Sequence, residues 1–510
     1  AAVVFLASLF FAVYMLGLRG KYPRVDAALI FTFKKLYAAL IGIFFVAFFL
    51  IYSTDPTGIG FYDTQLSFLI VLFAVGAAAV LLYRMKALKP ENMALLVIVV
   101  GIALRLCYFL YTNNHIVRQH DLWGAWSHLD YMKHVARTCS LPGVGIYETY
   151  HPPLHYILSA IPFGTVMFFG GGEGLAITAV MLLMIFFSSL TLIFIFKIMK
   201  QIKLDGKILL VAVAFASFQP NLIYMSVYLN NDSTVFLLYT ISIYYLLKWF
   251  ESRKTSHVVL LAVFTALAML AKKSAMVLYP VLGIVFIIEL IRHRTEYRKY
   301  LFQGGIFLLI AVPLGFSYQI RNYILFQQDI SYAVAPLGTV MPNNPYNLFF
   351  VPVKELLANP FVSDAPHENT FFLKMLIQTS LFSVFRFNEL IDIAVVMMFC
   401  YLVLTGLLVL YFILSGKKEV EGSGYIFLLN FVSVLLFYFR MRLYSPYDCT
   451  QAFRYIAPFI MVSLAYYMGK SVIRFSGTRF PVLNSAIQGV FWLFCGATVL
   501  FIMMIGPPII

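Results

Sequence analysis

Apolar runs of about 17–22 residues recur along the whole chain, and each has the length a helix needs to cross a hydrocarbon core about 30 Å thick. Inside a bilayer only helices and closed barrels satisfy every backbone polar group. Runs this long, without period-two alternation, exclude strands. The fold class they predict is an all-α polytopic membrane protein. The candidate spans are roughly 1–18, 36–52, 65–83, 92–112, 175–196, 207–227, 233–250, 257–271, 274–291, 301–318, 390–414, 424–440, 453–469 and 484–505, about fourteen helices. Charged residues make up only 12% of the chain, too few to cover a soluble domain of this size. The chain opens in an apolar run with no charged region ahead of it, so that run is expected as a retained span rather than a cleaved leader.

A net charge of +15 would suit nucleic acid, but its placement excludes that partner. Alternate connections gather the cations: Arg19, Lys21, Arg24, Lys34 and Lys35; Arg84, Lys86 and Lys89; Lys197, Lys200, Lys203 and Lys207; Lys248, Arg253 and Lys254; Arg292, Arg294, Arg298 and Lys299; Lys417 and Lys418; Lys470, Arg474 and Arg479. By the positive-inside bias these face the cytoplasm, so the charge is a topology signal. The connections 113–174, 319–389 and 441–452 then lie on the extracytoplasmic or lumenal side, in a bacterial plasma membrane or an ER-like one. The run 152–170 is apolar enough to cross, yet a crossing would invert every later basic loop. It is expected as a juxtamembrane or re-entrant helix on the outer side, broken by Pro162 and sheltered by protein or a cavity. The five cysteines are scattered without a CxxC pair, and Cys139–Cys449 is the one bridge left open.

Six of the nine histidines fall between His115 and His155, in a polar island directly after the 92–112 span. Asp121, Asp130, Glu148, Arg118, Lys133 and Arg137 share it. Titratable groups beside a membrane segment are costly to desolvate and mark chemistry or an ion path. The island is therefore where an active site is expected.

Further on stand Asn231-Asp232 at the start of a span, Ala271-Lys272-Lys273-Ser274 at a turn, Arg321-Asn322-Tyr323 before the long connection, and Arg454-Tyr455-Ile456-Ala457-Pro458. With Asp121 after a span and His151-Pro152-Pro153-Leu154 beyond it, this order resembles the GT-C superfamily of integral-membrane glycosyltransferases. The most similar branch in pattern uses polyprenyl-phosphate sugars and includes protein O-mannosyltransferases and the lipid A aminoarabinose transferase. The resemblance covers roughly 92–470 and implies a GT-C-like bundle with outer juxtamembrane helices. On this division 1–91 is an N-terminal transmembrane extension, 92–470 the catalytic membrane domain with outer loops 113–174 and 319–389, and 471–510 a C-terminal transmembrane helix. The family's Asp-Glu pair is here Asp121-Leu122, so one carboxylate is carried over.

Glycosyl transfer needs a base for the acceptor's proton and cations for the departing phosphate. Asp121, beside His120 and close after a span, is the expected base, as the equivalent acid is in the resembled family's inverting single displacement. The plainer role is an N-cap for a helix starting at Leu122, and the two are compatible. Glu148 and His151, stiffened by the double proline, are expected to orient the acceptor. With the other histidines they offer a possible divalent-metal site, although no HExxH spacing occurs and the one HxxxH pair, His151 and His155, brackets the double proline, and no other cofactor is implied.

Lys272, Lys273, Arg321, Arg442 and Arg454 are the expected donor-phosphate contacts, being outer cations against the positive-inside bias. Snorkelling to headgroups is the plainer role of such residues. Asn231, Asp232, Tyr323 and Tyr455 complete the candidate set, with a simple helix cap as the alternative for Asn231-Asp232. The implied partners are a polyprenyl-phosphate sugar, a glycan, lipid or protein acceptor, and membrane lipids. The loop with Tyr346, Phe349 and Phe350 is expected to touch the acceptor. Two other functions compete. A lipid-linked oligosaccharide ligase or polymerase would use the same face. A secondary transporter fits less well, because no internal repeat is seen and the charges lie in loops rather than at the midplane.

Overall fold

The computed structural model describes residues 42–54, 61–112, 119, 127–146, 148–332, 338–363, 370–415 and 422–505. The expected span 1–18 lies outside the described residues. In chain order the helices are α1 (Gly42–Thr54), α2 (Phe61–Arg84), α3 (Pro90–Thr112), α4 (His128–Thr138), α5 (Leu154–Phe168), α6 (Glu173–Gln201) and α7 (Gly206–Phe218). There follow α8 (Asp232–Ser252), α9 (Thr255–Ala271), α10 (Leu278–Arg292), α11 (Tyr297–Gly315), α12 (Ser317–Phe326) and α13 (Phe372–Phe382). The chain closes with α14 (Ile391–Ser415), α15 (Gly424–Tyr444), α16 (Ala457–Phe475) and α17 (Pro481–Met504). Among the described residues the only β pairing is an isolated bridge between Val340 and Tyr447.

The chain is an integral membrane protein. Eight helices among the described residues are long and apolar enough to cross a bilayer, or nine if α11 and α12, bent by 47°, count as one span. The expected fourteen are not all reached on that criterion, because several apolar runs make shorter helices. The run 207–227 is one case: Pro220 lacks an amide hydrogen, and the helix stops at Phe218. Flanking amides use the break, Gln219 donating to the Ser380 carbonyl (2.9 Å) and Asn221 to the Thr379 carbonyl (2.8 Å). The expected break at Pro162 does not occur, since α5 runs through it. At 15 residues α5 reaches about 22 Å, short of a full crossing.

The core of the bundle is α8, packed against α9, α6 and α16, with α7 wedged between α16 and α3. Small residues set the close crossings. A Cβ on Gly469 would lie 2.7 Å from the Ile208 carbonyl oxygen and 3.1 Å from the Ala212 Cβ, so α16 meets α7 at backbone distance. Arg105 of α3 is fully buried; it donates to Ser188 Oγ (2.8 Å) and to the carbonyls of Gly101 (2.8 Å) and Ser217 (3.3 Å), tying α3 to α6 and α7.

At the basic end of the bundle, buried Glu289 of α10 collects four groups. Arg253, just past α8, ion-pairs with it; Arg292 lies at 3.1 Å, His293 at 3.6 Å, and the Tyr425 hydroxyl donates at 3.0 Å. The candidate site occupies the opposite end of α8.

Candidate active site

Lys272 is the residue at which α9 ends. Its amide still donates to the Ala268 carbonyl (3.0 Å), but its backbone is already extended (φ −154°, ψ 125°), which turns its side chain toward α8. Asn231 donates from its side-chain amide to the Ala271 carbonyl (3.0 Å), satisfying the end of α9 and docking the start of α8 against it. Asp232, the first residue of α8, thereby meets Lys272, and the two form a buried ion pair. The other carboxylate oxygen of Asp232 faces the Arg454 guanidinium at 3.8 Å. The alternative role of Asn231-Asp232 as a simple cap is overturned, because neither side chain bonds an amide of its own helix. In a dry pocket an ammonium partner outweighs a neutral amide for a carboxylate.

Arg454 lies in the short turn Phe453–Tyr455 ahead of α16. The Phe453 amide donates to the Thr379 hydroxyl (2.9 Å), fixing that turn to α13. Arg454 sits 4.7 Å from the centroid of the Tyr455 ring, and Lys272 lies over the same ring at 5.6 Å. Lys272, Arg454, Asp232, Asn231 and Tyr455 thus converge from three separate stretches of sequence.

The other expected cations do not join them. Lys273 donates to the carbonyls of Ile330 (2.8 Å) and Tyr332 (3.0 Å). Arg321 bonds the Asn322 side chain (2.8 Å) and the Pro142 carbonyl (3.4 Å) and stacks on Tyr318 and Phe326, so it buttresses the 142–149 loop. Arg442 is buried and donates to the Pro342 and Thr370 carbonyls at 2.7 and 3.4 Å, tying both to α15. Tyr323 is exposed on α12. An apolar slot of about 830 Å³ does open between α1, α5 and α6, but Lys272, Lys273 and Arg321 do not line it.

His120 and Asp121 lie outside the described residues. Gln119, just before them, is described, and its side-chain amide imitates a strand partner. It donates to the Val227 carbonyl (2.9 Å) and accepts from the Leu229 amide (3.0 Å) in the loop that leads into α8. His155 reads the same loop. Its Nε2 lies 3.1 Å from the Leu229 carbonyl, which can only accept, so Nε2 carries the proton and Nδ1 faces the Thr234 hydroxyl at 2.9 Å.

A second cluster forms where α4 meets the turn before the double proline. Ser127 caps α4 by accepting from the Asp130 amide (3.1 Å), and the first turn brings His128 inward. His128 Nδ1 is 2.8 Å from the Tyr156 hydroxyl, and its ring stacks on His151 at 5.7 Å. Glu148 is buried, and His151 Nε2 lies 3.9 Å from its carboxylate. Burial, reinforced by neighbouring positive groups including Lys272 and Arg454, holds the His128 and His151 imidazoles well below their ordinary range. His151 keeps 18% of its side chain accessible. His128, Tyr156, His155 and Gln119 were not singled out by sequence, although His128 and His155 belong to the histidine-rich island. The Cys139–Cys449 bridge that the sequence left open does not form, and both residues are exposed.

Residues 151–316, which include the His-Pro-Pro-Leu motif, Asp232 and Lys272, match the family described as dolichyl-phosphate-mannose-protein mannosyltransferase. Arg321 and Arg454 fall outside that match. No curated protein matches the chain. Among solved structures, ArnT from Cupriavidus metallidurans in the apo state is similar, at 11% identity and a TM-score of 0.46, over 79% of this chain and 75% of that one. The family match thus lies inside an all-helical bundle whose long apolar helices can cross a membrane.

Proposed function

We propose that this enzyme takes one sugar from a polyprenyl-phosphate donor and passes it to an envelope glycan, lipid or protein on the extracytoplasmic or lumenal face. The observation that carries the proposal is the buried meeting of Lys272, Arg454 and Asp232 beside Tyr455, at the end of α8 opposite the basic cluster. Two cations on one carboxylate leave a net positive charge, which suits the phosphate of a leaving lipid. Asp232 holds the two cations at a fixed spacing and so prepares the anion site before the donor arrives.

In the proposed step the acceptor oxygen attacks the anomeric carbon from the face opposite the phosphate. The carbon–oxygen bond to phosphate breaks, and the polyprenyl phosphate leaves with the electron pair. Asp121 takes the acceptor's proton, giving a single displacement with inversion. Glu148 and His151, 3.9 Å apart, orient the acceptor. The exposed rings of Tyr346, Phe349 and Phe350 offer an apolar surface at the entrance for the acceptor's body.

The test is direct. The purified protein is incubated with radiolabelled polyprenyl-monophosphate sugars and, separately, with diphosphate-linked oligosaccharides. Consumption of a monophosphate sugar with release of polyprenyl phosphate, slowed in Lys272→Met and Arg454→Met chiefly through a raised donor KM, is the expected result. Consumption of the diphosphate-linked oligosaccharide alone would replace this function with that of a ligase. Movement of an intact solute without bond cleavage would replace it with a transporter.

A further inference from the structure

We propose that His128, Glu148 and His151 form a binding site for a divalent transition metal of the zinc class, with an open position facing an anion. One ligand atom from each residue lies within 4.8 Å of the others. A four-coordinate zinc site with bonds of about 2.0–2.2 Å places its ligand atoms roughly 3.4 Å apart. Side-chain rotation of about an ångström therefore closes the set. Two nitrogens and one carboxylate oxygen suit zinc or cobalt and not magnesium or calcium, which take all-oxygen shells.

The surroundings are already those of a metal site. The Tyr156 hydroxyl engages His128 Nδ1 at 2.8 Å, which orients the ring and leaves Nε2 for a metal. Glu148 is only 2% exposed, and a carboxylate that dry is stabilised by a cation in contact. The three residues come from two rigid pieces, the capped start of α4 and the turn stiffened by Pro152 and Pro153.

Lys272 and Arg454 are close enough to act electrostatically on both histidines. They repel a bare dication and attract a phosphate. An anion seated between them and the metal satisfies all three charges, so metal and phosphate monoester are expected to bind with positive coupling. The metal site rests on the donor set alone. The coupling rests on the donor-phosphate proposal, and the two fail separately.

The full chain, purified in detergent and stripped with chelator, is titrated with Co²⁺. Absorption and calorimetry report the ligand field and the stoichiometry. One Co²⁺ per chain with a four-coordinate spectrum is expected, displaced by Zn²⁺. His128→Gln and Glu148→Gln each weaken binding at least about tenfold, while His134→Gln, on the same helix, does not. If those variants fail to fold by circular dichroism, His151→Gln, at the most accessible of the three, is read instead, beside the wild-type spectrum. Methyl phosphate tightens Co²⁺ binding by at least about fivefold, and Lys272→Met abolishes that gain. No Co²⁺ bound by the wild type, or binding indifferent to His128, Glu148 and His151, overturns the metal site. Metal binding indifferent to methyl phosphate overturns the coupling alone.

Discussion

The Lys272–Asp232 pair allows its structural and functional roles to be measured apart. Their side chains are 8% and 0% exposed, so solvent screens the pair little. Removing one partner of a buried ion pair costs about 3–5 kcal/mol, because the other charge stays behind without compensation. Lys272→Met leaves Asp232 facing Arg454 at 3.8 Å, which puts its cost near the lower end, about 3 kcal/mol. Asp232→Asn strands two cations together and belongs at the upper end, about 5 kcal/mol. The double variant removes both charges but leaves Arg454 without the Asp232 carboxylate, and should recover part of the Asp232→Asn cost, since one stranded cation remains instead of two. Unfolding by SDS in mixed micelles, followed by circular dichroism, measures all four corners of the cycle. Transfer activity should not recover with stability: the double variant still lacks an ammonium for the donor phosphate and should stay at least about tenfold down. Single-variant costs below about 1 kcal/mol would refute the buried pair. Recovered transfer in the double variant would refute the phosphate role.

Three further outcomes are expected. Asp121→Asn should lower transfer at least about a hundredfold while sparing the fold. Asp130→Asn, which loses only a 3.7 Å contact with Lys133, should keep most activity, and near-normal transfer by Asp121→Asn would reassign the base to Glu148. Gly469→Ala should cost about 1–3 kcal/mol by forcing α16 off α7, whereas Gly489→Ala, with nothing within 4 Å, should be neutral or stabilising in the same unfolding assay. A membrane-impermeant maleimide added outside intact cells should label the exposed Cys139 and Cys449 and miss a Lys203→Cys residue; labelling of the last alone would invert the topology.

Apolar length made the helical class legible, since most expected spans coincide with observed helices. Breaks inside apolar runs were harder to read, because hydropathy outweighs a single proline. Pro220 ends α7 where amide side chains at 219 and 221 find carbonyls on α13, yet Pro162 leaves α5 whole. Which side of a break satisfies the freed backbone is a tertiary matter. The site was legible as a set of residue types and not as a set of contacts. Lys272 and Lys273 are neighbours in sequence but part company because one leaves a helix and the other enters the next short turn. Asp232 looked like a helix cap because its partner lies 40 residues away in sequence. The histidine spacing hid the 128–148–151 cluster, whose members meet only when α4 folds back on α5.

The two charge clusters at the ends of α8 have a mechanical consequence. At one end Asp232 is held by Lys272 and Arg454; at the other, Arg253 is held by Glu289, itself shared with α10 and α15. Sliding α8 along its axis by even one residue, about 1.5 Å, would break ionic contacts at both ends at once. The helix is a fixed strut, and the spacing between its two charge clusters is set when the protein folds. Any opening that the proposed donor or acceptor requires must therefore come from the parts around the strut: the turn before α5, the connection held by Arg442, and the slot where α1 leans on α5 and α6.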